Sequence, residues 1–201
     1  VGSSPERLVA CEDGRASVCP IAGTTTAGEG DADRLLSSEK DRAEHVMLVD
    51  LGRNDLSRVC RAGTVRVARS LEVERFSHVS HLVSEVVGDL RDGVTPFDVL
   101  RACFPAGTVT GAPKIRAMQI ISELEGHRRG PYAGAVVYVL PDGTMDSCIA
   151  LRAMVVADGV ARLQAGAGVV ADSTPAAEHR ECLAKLAALE AAIELAEEEY
   201  A

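Results

Sequence analysis

The sequence predicts an α+β fold in which antiparallel strands are combined with helices. Three strand-like segments are separated by short turn signals, which is the pattern of an antiparallel meander. These segments are residues 133–140, 145–156 and 160–164. Two longer stretches, residues 32–51 and 175–199, have helical composition. A chain of 201 residues lies near the upper end of the usual size range of one domain, and neither a repeat nor a linker divides it.

The first elements predicted are two short strands joined by a turn. Glu12, Asp13 and Gly14 form the turn signal between two apolar segments. These segments are residues 8–10 and 17–21. The Gly- and Thr-rich stretch of residues 23–30 then predicts a loop. Asp31 is a candidate cap for the helix over residues 32–51.

Strands and helices alternate through the middle of the chain. Strands are predicted over residues 63–68 and 76–87, which are rich in Val and Thr or in Val, Ser and His. A short helix over residues 96–104 is followed by a Gly- and Pro-rich break. Pro113 suits the first turn of a helix that continues to about Glu125. A glycine-containing loop precedes the last predicted helix, which begins at residue 175.

Composition excludes several classes of function. The chain has 30 acidic and 21 basic residues, a formal charge of -9, no Trp and 3% aromatic residues, so nucleic acid is not an expected partner. The longest apolar run, residues 133–140, is far shorter than the roughly 20 residues that cross a membrane. The six cysteines are scattered singly, and no signal peptide is evident. These features predict a soluble cytoplasmic protein with reduced thiols.

Glu44 places a carboxylate within an apolar helix face. The residues that share its face are Met47, Leu48 and Leu51. Burial of an ionised carboxylate is costly unless a cation or hydrogen bonds compensate it, so Glu44 requires a partner. Asp41, three residues earlier, projects from a neighbouring position. The alternative is an exposed pair between Glu44 and Lys40, one turn back.

A second acidic pair begins the last helix. Glu178 and Glu181 are three residues apart, and Lys185 follows four residues after Glu181. Both carboxylates lean toward the apolar stripe of this helix, which consists of Cys182, Leu186, Leu189 and Ile193. Oxygen donors from two helices suit a hard cation such as Mg²⁺. The alternative is an acidic first turn that is stabilised by the helix dipole.

Further candidates lie on predicted strands and loops. Arg152 falls within a strand that is apolar on both faces, so its guanidinium requires a carboxylate, which either the protein or a ligand could supply. His81 is either a hydrogen-bonded core residue or a catalyst, and Tyr132 is either a core residue or a hydroxyl donor. Two glycine-containing loops permit close approach of backbone amides to an anion, although glycines also serve ordinary turns. These loops are residues 107–108 and 166–168.

A series of ordered motifs resembles the chorismate-utilising enzyme family, above all its anthranilate synthase component I branch. The motifs are Pro20-Ile21-Ala22-Gly23-Thr24, Glu39-Lys40-Asp41-Arg42-Ala43-Glu44-His45, Leu48-Val49-Asp50-Leu51-Gly52-Arg53-Asn54-Asp55-Leu56, Val79-Ser80-His81-Leu82, Phe104-Pro105-Ala106-Gly107-Thr108, Gly111-Ala112-Pro113-Lys114, Arg129-Gly130 with Tyr132 and Gly134, Gln164-Ala165-Gly166-Ala167-Gly168, and Ala171-Asp172-Ser173 with Pro175, Glu178 and Glu181. The resemblance spans nearly the whole chain.

The resemblance implies a fold, a domain and a reaction. The expected fold is α+β, with antiparallel β-sheets packed as a sandwich and helices on the outside. Residues 1–201 would be the C-terminal portion of a single chorismate-binding catalytic domain, incomplete at its N-terminus. The expected reaction is Mg²⁺-dependent amination of chorismate by ammonia followed by loss of pyruvate, which gives anthranilate. A glutamine amidotransferase subunit or domain would supply the ammonia.

The resemblance also implies residue roles. Glu44 and Glu181 would bind Mg²⁺, with Asp41 and Glu178 close by and acting through water, and the metal would hold the ring carboxylate of chorismate. The residues expected to grip the enolpyruvyl carboxylate are Tyr132, Arg152, Gly166, Ala167 and Gly168. Thr108 and Lys185 would line the pocket, and His81 would assist elimination of the side chain.

Two departures from the family pattern keep alternatives open. Asp41 stands where many relatives have Glu. Ala22 occupies the position where the aminodeoxychorismate synthase branch commonly has a nucleophilic Lys, and alanine cannot attack chorismate. The alternatives are therefore a 2-amino-2-deoxyisochorismate synthase of an antibiotic pathway, or an inactive fragment that retains the ligand-binding residues.

Overall fold

The computed structural model describes residues 1–2, 5–75 and 79–200. Its strands are β1 Glu6–Glu12, β2 Arg15–Val18, β3 Ile21–Thr26, β4 Arg66–Arg75, β5 Val79–Asp89, β6 Ala135–Val139, β7 Met145–Ile149, β8 Met154–Ala157 and β9 Val160–Leu163. Its helices are α1 Asp31–Ser37, α2 Glu39–Ser57, α3 Pro96–Cys103, α4 Lys114–Glu125 and α5 Pro175–Tyr200, and a 3₁₀ turn spans Gly107–Val109. The predicted α+β class, with antiparallel sheets and helices, is confirmed.

One large antiparallel sheet organises the described part of the chain. Its strand order is β3-β5-β2-β1-β7-β6, and β4 pairs with β5. The long strand β5 pairs with β4 along one edge, while its other edge pairs with β3 near its start and with β2 near its end. The predicted turn at residues 12–14 is confirmed as the connection between β1 and β2, where Asp13 and Gly14 both have positive φ angles.

Helices α2 and α3 cover one face of the sheet and enclose the main hydrophobic core. Leu56 of α2, Val99 of α3 and Val9 of β1 are fully inaccessible to solvent. Helix α2 lies so close to β2 that a β-carbon at Gly52 would come within 2.8 Å of Val18 Cγ2. Burial of each such side chain contributes roughly 1.5 to 3 kcal/mol, so this helix is held firmly on the sheet.

The helix predicted over residues 32–51 is two helices. Ser38 has an extended conformation, and its Oγ accepts a hydrogen bond from the Asp41 amide, which starts α2. Asp31 is not the cap that the sequence predicted, because Gly30 occupies the N-cap position of α1. The buried Asp31 carboxylate instead accepts hydrogen bonds from Arg75 and Ser80. The positive Arg75 guanidinium holds the pKa of Asp31 well below its usual range.

The loop predicted over residues 23–30 begins too early. Residues up to Thr26 belong to β3, which pairs with β5. The register shifts at Gly23, which has a positive φ of 73°. The partner of this glycine, His81, is 58 residues away in sequence. A Gly- and Thr-rich composition therefore hides a strand whose pairing partner is distant.

The predicted meander over residues 133–164 is also divided. Residues 145–156 form two strands, of which β7 pairs with β6 and β1 in the large sheet and β8 pairs with β9 in a separate two-stranded sheet. Arg152 lies between these strands with a left-handed φ of 50°, so the prediction of a strand buried on both faces is wrong. The first residues of the strand predicted over 76–87 lie outside the described residues.

The helices predicted over residues 96–104, 113–125 and 175–199 are confirmed with small changes of boundary. The strand predicted over residues 17–21 is divided, because β2 ends at Val18 and β3 begins at Ile21. Helix α3 begins at a capping box, in which Thr95 and Asp98 satisfy each other's backbone amides. Pro113 is the N-cap of α4 rather than a residue of its first turn. The strand predicted over residues 63–68 begins only at Arg66 and continues to Arg75, well beyond the predicted end. Within the described residues, no helix is long and apolar enough to span a bilayer.

Candidate functional site

A largely buried carboxyl group, that of Glu6, lies at the centre of the candidate site. Glu6 begins β1 opposite Ile149 of β7, and its side chain is only 17% exposed. Burial raises the pKa of Glu6, while the positive charges of Arg152, Lys185 and His81 partly oppose this increase. Three residues that the sequence singled out therefore affect the pKa of one carboxyl group that it did not.

Strand alternation alone did not identify Glu6. Glu6 lies opposite the buried Ile149, but a bulge at Leu8 interrupts the alternation of β1. An acidic residue on an inward strand face requires compensation. The reasoning that identified Glu44 therefore applies to Glu6 only once the pairing of β1 with β7 is known.

Arg152 approaches the site from the bend between β7 and β8. Its Nη2 lies 3.9 Å from Glu6 Oε2, and its side chain is 41% exposed. This pair supports the structural ion pair that the sequence left open, but the geometry is loose and partly open to water. A guanidinium carries planar N–H donors whose hydrogen bonds a carboxylate can accept.

The loop of residues 166–168 is contacted from several sides. Lys185 Nζ of α5 donates to the Gly166 carbonyl oxygen at 3.0 Å and forms an ion pair with Glu181 Oε1 at 2.6 Å. A β-carbon at Gly166 would lie 3.0 Å from the Tyr132 hydroxyl oxygen, and one at Gly168 would lie 2.9 Å from Glu44 Oε1. This glycine loop is therefore the point where α2, α5 and Tyr132 meet, with half-buried Ala167 at its middle.

The acidic residues of α2 and α5 approach the glycine loop at different residues. Glu44 approaches the loop at Gly168, while Glu181 is linked to Gly166 through Lys185. Among residues 1–2, 5–75 and 79–200, no three His, Cys, Asp or Glu side chains form a cluster that could hold a metal ion. Mg²⁺ commonly uses only one or two protein carboxylates and completes its shell with water and substrate oxygens. Glu44 and Glu181 have the carboxylate oxygens that this cation prefers, while the four predicted acidic ligands do not form a single cluster among the described residues.

Asp41 and Glu178 precede Glu44 and Glu181 by three residues on their helices. Asp41 lies in the first turn of α2, where a β-carbon at Gly23 would come within 3.3 Å of its Cβ. Glu178 lies in the first turn of α5 and is partly buried. The alternative pairing of Glu44 with Lys40 depends on a side chain outside the described part of the chain.

His81 is held by the bulge in β3. Its Nδ1 is 3.1 Å from the carbonyl oxygen of Gly23, so this bond requires Nδ1 to carry the proton. In the neutral form of the ring, Nε2 is then the nitrogen without a proton. His81 thus has the hydrogen bond expected of a core histidine, and its charged form would lower the pKa of Glu6.

Thr108 shares a cavity with Glu6. The cavity has a volume of about 60 Å³ and lies between β1, α2 and the 3₁₀ turn. The turn is pressed against α2, since a β-carbon at Gly107 would come within 2.7 Å of Leu51 Cδ1. Lys114 Nζ donates to Asp55 Oδ2 at 2.8 Å and to the Cys103 carbonyl at 3.1 Å, which ties both ends of the loop that carries Thr108 to α2.

Tyr132 lies beside a guanidinium that the sequence did not assign. The Arg129 Cζ is 5.5 Å from the centre of the Tyr132 ring. Burial raises the pKa of Tyr132. The phenol therefore keeps its proton at neutral pH and can donate a hydrogen bond toward the glycine loop.

Comparison with known proteins agrees with the motifs. The family described as chorismate binding enzyme matches residues 1–191. Anthranilate synthase component 1 of Acetivibrio thermocellus is 53% identical over 204 residues, which cover 98% of this chain and 41% of the relative. The corresponding protein of Bacillus caldotenax is 55% identical over 207 residues, which cover 100% of this chain and 41% of the relative. The chain thus spans about two fifths of the length of these curated relatives.

Solved structures give the same result. Anthranilate synthase component I from Streptococcus pneumoniae TIGR4 superposes with a TM-score of 0.84 at 48% identity, covering 92% of this chain and 42% of that chain. The menaquinone-specific isochorismate synthase MenF from Escherichia coli superposes with a TM-score of 0.82 at 30% identity, covering 94% of this chain and 44% of that chain. The resemblance inferred from the sequence motifs is confirmed.

Proposed function

Because the chain belongs to the chorismate-binding enzyme family, we propose that it supplies catalytic-domain residues for the conversion of chorismate and ammonia to anthranilate and pyruvate. The observation that carries this proposal is the glycine loop of residues 166–168, where the Tyr132 hydroxyl, the Glu44 carboxylate and Lys185 meet. The largely buried Glu6 carboxyl group lies 3.9 Å from Arg152 in the same fold. Cations and amide donors suit a dianionic substrate, and a buried acid suits the loss of a hydroxyl group.

Substrate binding would use the two sides of the glycine loop. Arg152, the Tyr132 hydroxyl and the backbone of residues 166–168 would hold the enolpyruvyl carboxylate, with Thr108 and Lys185 lining the pocket. Glu44 and Glu181 would hold Mg²⁺, with Asp41 and Glu178 acting through water. When bound, the cation would neutralise the ring carboxylate of chorismate and polarise it.

Glu6 is the residue suited to supply a proton. The amination forms a bond from ammonia to C2, shifts the ring double bonds and breaks the bond from C4 to its hydroxyl group. The leaving hydroxyl needs a proton to depart as water. The raised pKa of Glu6 keeps its carboxyl group protonated to a higher pH than that of an exposed glutamate, so Glu6 can donate that proton.

His81 is suited to the second stage. Loss of pyruvate requires removal of the proton from C2 and cleavage of the bond between C3 and the enolpyruvyl oxygen, and the enolpyruvate takes up a proton on its methylene carbon. With Nδ1 bonded to the Gly23 carbonyl, Nε2 is the nitrogen that can accept a proton. The aromatic ring of the product supplies the driving force for this step.

Ammonia would come from a glutamine amidotransferase subunit or domain, as the resemblance implies. Ala22 has no nucleophilic group, which disfavours a reaction through a covalent intermediate at that position. The six cysteines are free, which supports the expected cytoplasmic location, where thiols stay reduced.

The test is an assay of the full-length gene product that contains these residues, with chorismate, ammonium salt and Mg²⁺. Anthranilate fluorescence and pyruvate release are measured, and we expect both from the full-length protein. The 201-residue chain assayed in parallel separates residues that suffice for turnover from residues that only bind. Accumulation of the aminated, pyruvyl-bearing intermediate would instead assign the 2-amino-2-deoxyisochorismate synthase activity, and isochorismate would refute both assignments.

The metal role of Glu181 is tested in the same protein. We expect Glu181→Gln to reduce Mg²⁺-dependent turnover at least 100-fold with little change in the unfolding temperature, because Glu181 is exposed on α5. Glu190→Gln, an exposed change on the same helix, is the matched control. Turnover by Glu181→Gln at the control level would contradict the proposed ligand role.

A further inference from the structure

We propose that Arg129 is a positioning residue that fixes Thr108 and Tyr132 relative to each other, an inference that rests on the proposed function. Arg129 follows α4 and has a partly buried side chain, 22% exposed. Its side chain contacts three separate parts of the chain, which are the end of α4 at Glu125, the 3₁₀ turn at Val109 and the ring of Tyr132. Two of those parts carry predicted substrate-binding residues.

The guanidinium is held by a carboxylate fork. Arg129 Nε donates to Glu125 Oε2 at 2.9 Å, and Nη2 donates to Glu125 Oε1 at 2.6 Å. Glu125 is the last residue of α4, so the fork anchors the guanidinium to the end of that helix. Paired planar donors and acceptors fix the orientation of the guanidinium plane as well as its position.

The remaining donor reaches the 3₁₀ turn. Arg129 Nη1 donates to the Val109 carbonyl at 2.7 Å, and Val109 follows Thr108 directly. The contact is between residues 20 positions apart in sequence. The carbonyl that receives this bond is therefore held at a fixed distance from α4, and the adjacent Thr108 is held with it.

The same guanidinium covers the ring of Tyr132. The Cζ to ring-centre distance is 5.5 Å, within the range of a cation–π contact. The Tyr132 amide also donates to the Arg129 carbonyl at 3.2 Å, which closes a tight turn that includes Gly130, at a φ of 61°. Arg129 thus sets both the backbone and the ring position of Tyr132, whose hydroxyl oxygen lies 3.0 Å from where a β-carbon at Gly166 would be.

A lysine at position 129 cannot make the contacts that Arg129 makes. An ammonium group has no planar fork, so it cannot hold Glu125 by two parallel bonds while also reaching Val109 and covering the ring. Arg129→Lys keeps the charge and loses the geometry. Arg128→Lys, the same change at the exposed neighbouring arginine, is the matched control.

The experiment compares these variants in the full-length protein. For Arg129→Lys we expect the KM for chorismate to rise about tenfold, equivalent to about 1.4 kcal/mol, with kcat within about threefold of the wild type. In the double variant Arg129→Lys with Thr108→Ala, the loss of binding free energy derived from the KM for chorismate should be smaller than the sum of the losses in the two single variants. Arg129 acts through the loop that carries Thr108, so the two changes remove part of the same interaction. An unchanged KM, or fully additive losses, would overturn the proposal.

A second measurement does not depend on activity. Hydrogen–deuterium exchange of residues 106–110 should become at least about fivefold faster in Arg129→Lys and stay unchanged in Arg128→Lys. If Arg129→Lys does not fold, Glu125→Gln releases the fork while keeping the arginine, and the same exchange and KM criteria decide. A wild-type protein that makes no anthranilate would refute the proposed function. Exchange of residues 106–110 that stays at the wild-type rate in both Arg129→Lys and Glu125→Gln would refute the positioning role alone.

Discussion

Substitution of Gly168 by alanine tests the placement of the Glu44 carboxylate. The added β-carbon would lie 2.9 Å from Glu44 Oε1, whereas ordinary contact begins at about 3.4 Å. The φ of Gly168 is outside the left-handed region, so the alanine backbone itself is not strained. The clash falls on the flexible end of a side chain, and the carboxylate therefore has to move by about 0.5 Å.

A displacement of this size should weaken metal binding while leaving the stability of the fold nearly unchanged. Metal–ligand distances tolerate only about 0.2 Å, and disturbances next to a ligand commonly cost about 10- to 100-fold in metal affinity. We therefore expect Gly168→Ala to raise the Mg²⁺ concentration for half-maximal activity about 10- to 100-fold. The free energy of unfolding should change by less than about 1 kcal/mol, since the loss of glycine flexibility in the unfolded chain offsets the contact.

The assay is a Mg²⁺ titration of anthranilate formation at saturating chorismate, together with calorimetric Mg²⁺ binding and thermal unfolding. Gly166→Ala is the control, because its β-carbon would meet the Tyr132 hydroxyl oxygen at 3.0 Å instead of a carboxylate. That variant should raise the KM for chorismate and leave the Mg²⁺ titration unchanged. A Gly168→Ala protein with wild-type Mg²⁺ dependence would refute the assignment of Glu44 to the metal.

Two further perturbations test the buried charges. Glu6→Gln should lower kcat by about 10²- to 10⁴-fold, the usual contribution of a general acid. Because burial raises the pKa of Glu6 above 4.5 in the folded protein, its ionisation destabilises the fold as the pH rises through that pKa. Urea unfolding should therefore show Glu6→Gln gaining stability relative to wild type between pH 4 and pH 7, and a relative loss would contradict the burial of Glu6. Lys114→Met should lower the free energy of unfolding by about 3 to 5 kcal/mol, because it leaves Asp55 buried without its cation. Adding Asp55→Leu should recover part of that loss. A double variant that is no more stable than Lys114→Met would contradict this reasoning.

Local signals in the sequence predicted most elements and failed where pairing is distant. The turn at residues 12–14 and the capping of α3 depend on neighbouring residues, so their patterns were sufficient. Strand β3 depends on β5, and nothing within its own Gly- and Thr-rich segment indicates that partner. The break at Arg152 was missed for a related reason, since residues 145–156 are apolar enough for one strand and a single left-handed residue divides them.

The same difference between local and distant signals decided which residues of the candidate site were predicted from the sequence. Periodicity predicted that Glu44, Glu178 and Glu181 lean inward, but Glu181 is exposed in the fold. Arg152, His81 and Tyr132 came from the pattern of predicted strands, and the ordered motifs added Lys185 and the role of Thr108. Glu6 was missed because its importance comes from residues far along the chain. Arg152 and Lys185 are separated from it by most of the sequence, yet both act on its carboxyl group in the fold. Convergence of this kind is a tertiary property, which a strand pattern does not contain.

The glycine loop shows how contact rather than backbone conformation explains a motif. Neither Gly166 nor Gly168 has a φ in the left-handed region that favours glycine. Each is instead crowded on its side-chain position, Gly166 by the Tyr132 hydroxyl and Gly168 by the Glu44 carboxylate. Since Lys185 also binds the Gly166 carbonyl, one short segment is in contact with the phenol, the acidic helix α2 and the cation of α5. A β-carbon at Gly166 would displace the Tyr132 hydroxyl, and one at Gly168 would displace the Glu44 carboxylate. Each glycine therefore leaves room for a different residue of the candidate site.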